Sequence, residues 1–184
     1  MTVSDEIPLA ATGPLPGAEE LLQAMADFNR RLLDHCADLR RLVPAPDERG
    51  FHAHARADMH QLSRFFAEEL PRHHDDQDLD LLPALIESMA GSDAVCLREI
   101  TDLLTREHRE LRRQWLIIRP AIDGVCNGRT QALPVPEIEA FVERCEACVA
   151  REGSELLPMA ARLLSDAQLA AIGESMHRRR LAPT

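Results

Sequence analysis

Residues 97–122 read LREITDLLTREHRELRRQWLIIRPAI, and within them Leu97, Thr101, Leu104, His108, Leu111, Trp115, Ile118 and Ile122 succeed one another in steps of four and three. Such steps keep every member on one face of an α-helix, so the stretch predicts a long helix with an unbroken inward stripe. Upstream, Leu22, Met25, Asn29, Leu32, Cys36, Leu39 and Val43 repeat the pattern. Downstream it returns in Ile138, Phe141, Cys145, Cys148, Glu152, Leu156, Met159 and Leu163. A further segment, Met59, Leu62, Phe66, Leu70, His73, Gln77, Leu81 and Ala84, is less regular. Its phase drifts near Pro71, where a kink is expected.

Helix breakers separate the four segments at residues 44–50, 91–93 and 124–136. Two short connections and one longer one predict an all-α fold: an antiparallel up-down-up-down four-helix bundle. A short C-terminal helix is expected after Ser165-Asp166, which reads as its cap. Residues 1–17, with Pro8, Gly13, Pro14, Pro16 and Gly17, predict a flexible tail, leaving 18–180 as one bundle domain. Composition agrees: Leu and Ala dominate, aromatics are only 3%, and Tyr is absent, which favours helix over strand.

The net charge of −10 argues against a nucleic-acid partner or an anionic membrane surface. All 21 basic residues are Arg, and the Arg178-Arg179-Arg180 run reads as a helix C-terminal end, where cations are favoured. No apolar run reaches the roughly 20 residues of a membrane span. The acidic start, with Asp5 and Glu6, does not read as a secretion leader, and five Cys form no secreted-type framework. A cytoplasmic location is expected.

Every stripe carries polar or metal-capable residues near its middle: Asn29 in the first, His73 and Gln77 in the second, His108 in the third, Cys148 and Glu152 in the fourth. Burying such groups unpaired costs roughly 1–3 kcal/mol each, so they must satisfy one another or hold something. Gln77 lies 14 residues before Gly91 and His108 lies 17 after it, which sets them at similar heights on neighbouring antiparallel helices. The chain also echoes itself. His73-x-x-x-Gln77-x-x-Asp80-Leu81-Leu82-Pro83 returns 75 residues later as Cys148-x-x-x-Glu152-x-x-Glu155-Leu156-Leu157-Pro158. Residues four apart share a helix face, which suits chelation of one cation.

On these residues the chain resembles the hemerythrin-like, or HHE cation-binding, family. The stretch from Arg64-Phe65-Phe66 to Pro83 is similar to that family's second helix. Glu107-His108-Arg109-Glu110-Leu111 with Trp115 resembles its third, and Ala150-Arg151-Glu152 through Pro158 its fourth. Met176 with Arg178-Arg179 resembles its ending, so the likeness runs over about residues 20–180. It implies a non-haem di-iron centre held by one His on the first helix, His-x-x-x-Glu on the second, His on the third and His-x-x-x-Glu on the fourth. His73, His108 and Glu152 match. Asn29 stands in place of the first-helix His, Gln77 in place of the second-helix Glu and Cys148 in place of the fourth-helix His. His74, beside His73, is a further candidate donor.

The departures remove one negative charge and one bridging carboxylate, and they add a soft thiolate. The set admits non-haem iron, a single zinc, or no metal. By resemblance the partner would be a metal cation and a small diatomic gas, with a role in sensing oxygen, nitric oxide or redox state, or in handling iron. Two other readings stand beside it. One is a metal-free helical scaffold for a protein partner. The other is a thiol redox sensor using Cys145-x-x-Cys148, although reactive pairs of this kind sit at helix N-termini and this one does not. Asp75, Asp76 and Asp78 read as a solvated acidic face. No phosphate loop or nucleophile constellation marks an enzyme.

Overall fold

A computed structural model describes residues 18–43, 53–88, 94–130 and 132–181. The tail expected over 1–17 and the breakers at 44–50 and 91–93 lie outside the described residues. The described residues form five helical rods. Helix α1 is Ala18–Leu42. Rod α2, residues 53–88, is α-helical over Ala53–Arg64, Leu70–Asp76 and Leu82–Ser88, with π-helical turns at Phe65–Glu69 and Gln77–Leu81. Helix α3 is Ala94–Cys126. Rod α4 comprises Val135–Arg151, a π turn at Glu152–Leu156, and Leu157–Leu163. Helix α5 is Asp166–Leu181. No strand occurs among the described residues.

Rods α1 to α4 form a closed ring in which each packs on its chain neighbours and α4 returns to α1. The pairing is antiparallel. Asn29 meets Glu152 while Arg40, further along α1, bonds Glu139 (2.9 Å), earlier on α4. Across α2 and α3, Ser63 bonds Asp123 (3.1 Å), Arg112 bonds Asp75 (2.7 Å) and His108 meets Asp78 (2.8 Å). Ser165 caps α5 reciprocally: its Oγ accepts from the Gln168 amide (3.3 Å) and its own amide donates to Gln168 Oε1 (3.0 Å), a capping box. Helix α5 then lies on α1 and on the second π turn of α2.

The rod at Pro71 is relieved by widening. In all three π turns the helix closes over five residues: Leu70 N–H donates to Phe65 O, Leu82 to Gln77 O, and Leu157 to Glu152 O. Each closing residue is followed at once by proline, Pro71, Pro83 or Pro158. Proline has no N–H for the carbonyl four residues back, and its ring collides with that carbonyl in a regular helix. A π turn moves the carbonyl aside. Pro120 sits inside α3 without such a turn, so proline alone does not dictate it.

Each π turn also inserts one residue into the count. The inward stripe of α3 is buried as expected from Leu97 to Ile122. After the wide turns, however, Leu85 is buried in place of Ala84, and Ala160 and Leu164 in place of Met159 and Leu163. At the start of α1, Leu21 is more deeply buried than Leu22.

Candidate metal centre

The four stripes bring Asn29, His73, Gln77, His108, Cys148 and Glu152 into one buried cluster at mid-bundle, all 5% exposed or less. Glu152 is its hub, and its two oxygens face different surroundings. Oε2 accepts from Asn29 Nδ2 (3.0 Å) and Gln77 Nε2 (2.7 Å), and His73 Nε2 lies 3.6 Å away. Gln77 Nε2 is also 2.8 Å from His73 Nε2, so the amide spans the pair. Oε1 accepts from the Cys148 thiol (3.4 Å) and faces His108 Nε2 at 3.6 Å. One oxygen is thus capped by two neutral amides. The other looks onto a thiol and an imidazole.

Two of the three π turns begin at residues of this cluster. Gln77 opens the second turn of α2 and Glu152 opens that of α4, which gives the 75-residue echo a backbone meaning as well as a side-chain one. The widened turn of α2 lets two consecutive residues reach the site: Gln77 bonds Glu152, while Asp78 bonds His108 Nδ1 (2.8 Å). A carboxylate there keeps the Nδ1 proton in place and leaves Nε2 turned inward. Asp78 went unrecognised in the sequence because it sits in a run that reads as solvated. That run is in fact committed throughout: Asp75 to Arg112, Asp76 to Arg179 and Arg180, Asp78 to His108, and Asp80 to Arg179. His74 stands behind His108, its ring stacked on it at 4.1 Å and 9°, and shows no contact with Glu152.

Charge follows from this arrangement. Burial pushes Glu152 up, but the facing His108 and His73 outweigh it and hold the carboxyl well below the usual range. Burial pulls His108 down, and Asp78 and Glu152 together bring it above its ordinary value. Burial, then the neighbouring His108 and His73, holds His74 well below. Burial and the Glu152 charge push the Cys148 thiol far up, so its proton stays on sulfur in the hydrogen bond to Oε1. Burial, with Cys36 beside it, does the same to Cys145. Two buried, protonated thiols lack the thiolate character of a redox pair, so the thiol-sensor reading finds no support here.

The hemerythrin HHE cation binding domain model matches residues 20–160. The chain belongs to that family. Among the relatives of this hemerythrin-family chain is an uncharacterized protein of Haemophilus influenzae, 27% identical over 144 residues, which cover 77% of this chain and 80% of the relative. No helix among the described residues is long and apolar enough to cross a membrane.

The residues do not fit two irons. Glu152 is the cluster's one carboxylate apart from Asp78, which is engaged with His108 Nδ1, and the amide hydrogens of Asn29 and Gln77 already occupy Oε2. They fit one cation. Donor atoms of His108, Cys148 and Glu152 lie within 4.8 Å of one another, all three residues buried. The pairs at 3.4 and 3.6 Å match the edges of a tetrahedron with bonds of about 2.0–2.3 Å. His108 Nε2 has no hydrogen-bond partner, and neither do the carbonyl oxygens Asn29 Oδ1 and Gln77 Oε1.

Proposed function

We propose that this hemerythrin-family protein binds a single zinc-type divalent cation, with His108 Nε2, Cys148 Sγ and Glu152 Oε1 as its ligands. The observation that carries this reading is the split environment of Glu152. Asn29, Gln77 and His73 satisfy one side of the carboxylate without a metal. The other side gathers one nitrogen, one sulfur and one oxygen, a mixed set that suits zinc better than an oxygen-rich di-iron centre. In this reading the two amides replace one cation of the family's centre, and the substitutions convert the pocket rather than dismantle it. Bound there, a zinc-type ion supplies Lewis acidity and a cross-link between α3 and α4, without electron transfer. The chain's own residues do the positioning: Asp78 orients His108, and the amide pair fixes the Glu152 plane.

Metal analysis of untagged protein by plasma mass spectrometry tests it. One zinc-type ion per chain is expected, lost in Cys148→Ser and in His108→Ala and retained in Asn29→Ala. Two irons per chain with oxo-bridge absorption would overturn the reading and restore the gas- or redox-sensing role implied by the family. No metal, with a melting temperature unmoved by chelator, would overturn it in favour of the metal-free scaffold.

A further inference from the structure

A cavity of ≈ 550 Å³ opens between α1, α2 and α5; it borders the cluster at His73 and is lined by none of the three proposed ligands. Its apolar lining comes from Leu21, Met25, Phe28 and Met176. Its inner wall is a ring stack: Phe28 lies on His73 with centroids 4.0 Å apart and 14° between planes. Its rim is cationic, with Arg31, Arg64, Arg72 and Arg180 against Glu68 and Glu69. Three of these six charges are spoken for. Arg31 is held by Glu69 at 3.3 Å and covers the Phe28 ring at 5.2 Å, and Arg180 is held by the buried Asp76 at 2.7 Å. That leaves Arg64 and Arg72 with one carboxylate, Glu68, as those with no ion-pair partner among the described residues, on a chain whose net charge is −10.

Two guanidinium groups with no ion-pair partner among the described residues, lining a cavity with apolar walls, make an amphipathic receptor. A guanidinium offers a planar fork of donors that matches a carboxylate, whereas an ammonium or a neutral head would leave that fork unanswered. The volume falls in the range of small-molecule pockets, and apolar lining with a few polar groups is their usual chemistry. We propose that this cavity binds a small amphipathic carboxylate. Its apolar body lies along Leu21, Met25 and Phe28, and its carboxylate meets Arg64 and Arg72. Such a ligand sits on the outer side of the Phe28–His73 stack and makes no contact with Glu152, so the proposal does not rest on the cation.

The test is isothermal titration of the full chain with octanoate, octan-1-ol and octylammonium. Octanoate is expected to bind saturably at one per chain. The double variant Arg64→Gln/Arg72→Gln, both positions being exposed, should weaken octanoate by about tenfold or more and leave octan-1-ol unchanged. Ala24→Trp, at an exposed lining position, should fill the space and abolish binding, with circular dichroism confirming the fold. Absence of saturable octanoate binding would overturn the proposal. So would octylammonium binding as tightly as octanoate, or octanoate affinity unmoved by both variants.

Discussion

At the scale of single residues, the site turns on which atoms of Glu152 are already occupied. Asp78 is the clearest lever, because it touches His108 at Nδ1 and not at Nε2, the atom proposed as the ligand. We expect Asp78→Asn to lower cation affinity by roughly 10–100-fold, read by competition with a chromophoric chelator, while helicity stays unchanged. An unaltered affinity would mean that the imidazole needs no help to keep its tautomer. The amide pair gives a complementary expectation. Restoring Asn29→His, Gln77→Glu and Cys148→His together replaces two amides and a thiol with two imidazoles and a second carboxylate. Iron content should then rise toward two per chain, with oxo-bridge bands in the visible spectrum. That the stripe residues of four separate segments would converge was legible, because a polar residue on an apolar stripe has nowhere else to go. The role of Asp78 was not, because its inward turn depends on a backbone irregularity that a regular helical count passes over.

At the scale of elements, that irregularity did leave a trace. The stripes of α1 and α3 alternate three and four without exception, and neither contains a π turn. Two consecutive steps of four occur at Leu62–Phe66–Leu70, at His73–Gln77–Leu81 and at Cys148–Glu152–Leu156, the three places where a wide turn is found, each with proline following. Counting by sevens treats the double step as noise and lands one residue early afterwards, on Ala84, Met159 and Leu163. A stability measurement addresses the wide turns directly. Gly153 lies in the π turn of α4, is exposed, and a Cβ built there meets nothing within 4 Å. Gly153→Ala should therefore stabilise the fold by about 0.4–1 kcal/mol in urea titration, chiefly by restricting the unfolded chain. If cation affinity falls in the same variant, the turn needs the freedom of glycine to place Glu152.

At the scale of the whole molecule, the bundle depends on how α5 is fastened, and three successive arginines play unequal parts in it. Among the described residues Arg178 pairs only with Glu174 on its own helix, both well exposed, at 3.7 Å. Arg179 leaves its helix to reach Asp76 and Asp80 on α2, and Arg180 reaches the second oxygen of Asp76. The Asp76 side chain is only 2% exposed, so removing a partner strands a charge with little water to accept it. Exposed pairs within one helix contribute about 0.3–0.5 kcal/mol, whereas removing one partner of a buried pair costs about 3–5 kcal/mol. Arg180 still faces Asp76 when Arg179 is gone, which places Arg179→Gln near the lower end, at about 3 kcal/mol, against under about 0.5 kcal/mol for Arg178→Gln. Chemical denaturation of the two variants side by side measures the difference. Because Asp76 immediately precedes the π turn that opens at Gln77, the loss in Arg179→Gln should also appear as faster amide exchange in α5 and in that turn. Equal, small effects from the two substitutions would mean that α5 is held by Leu169, Ile172 and Met176 alone, and that its arginine latch is incidental.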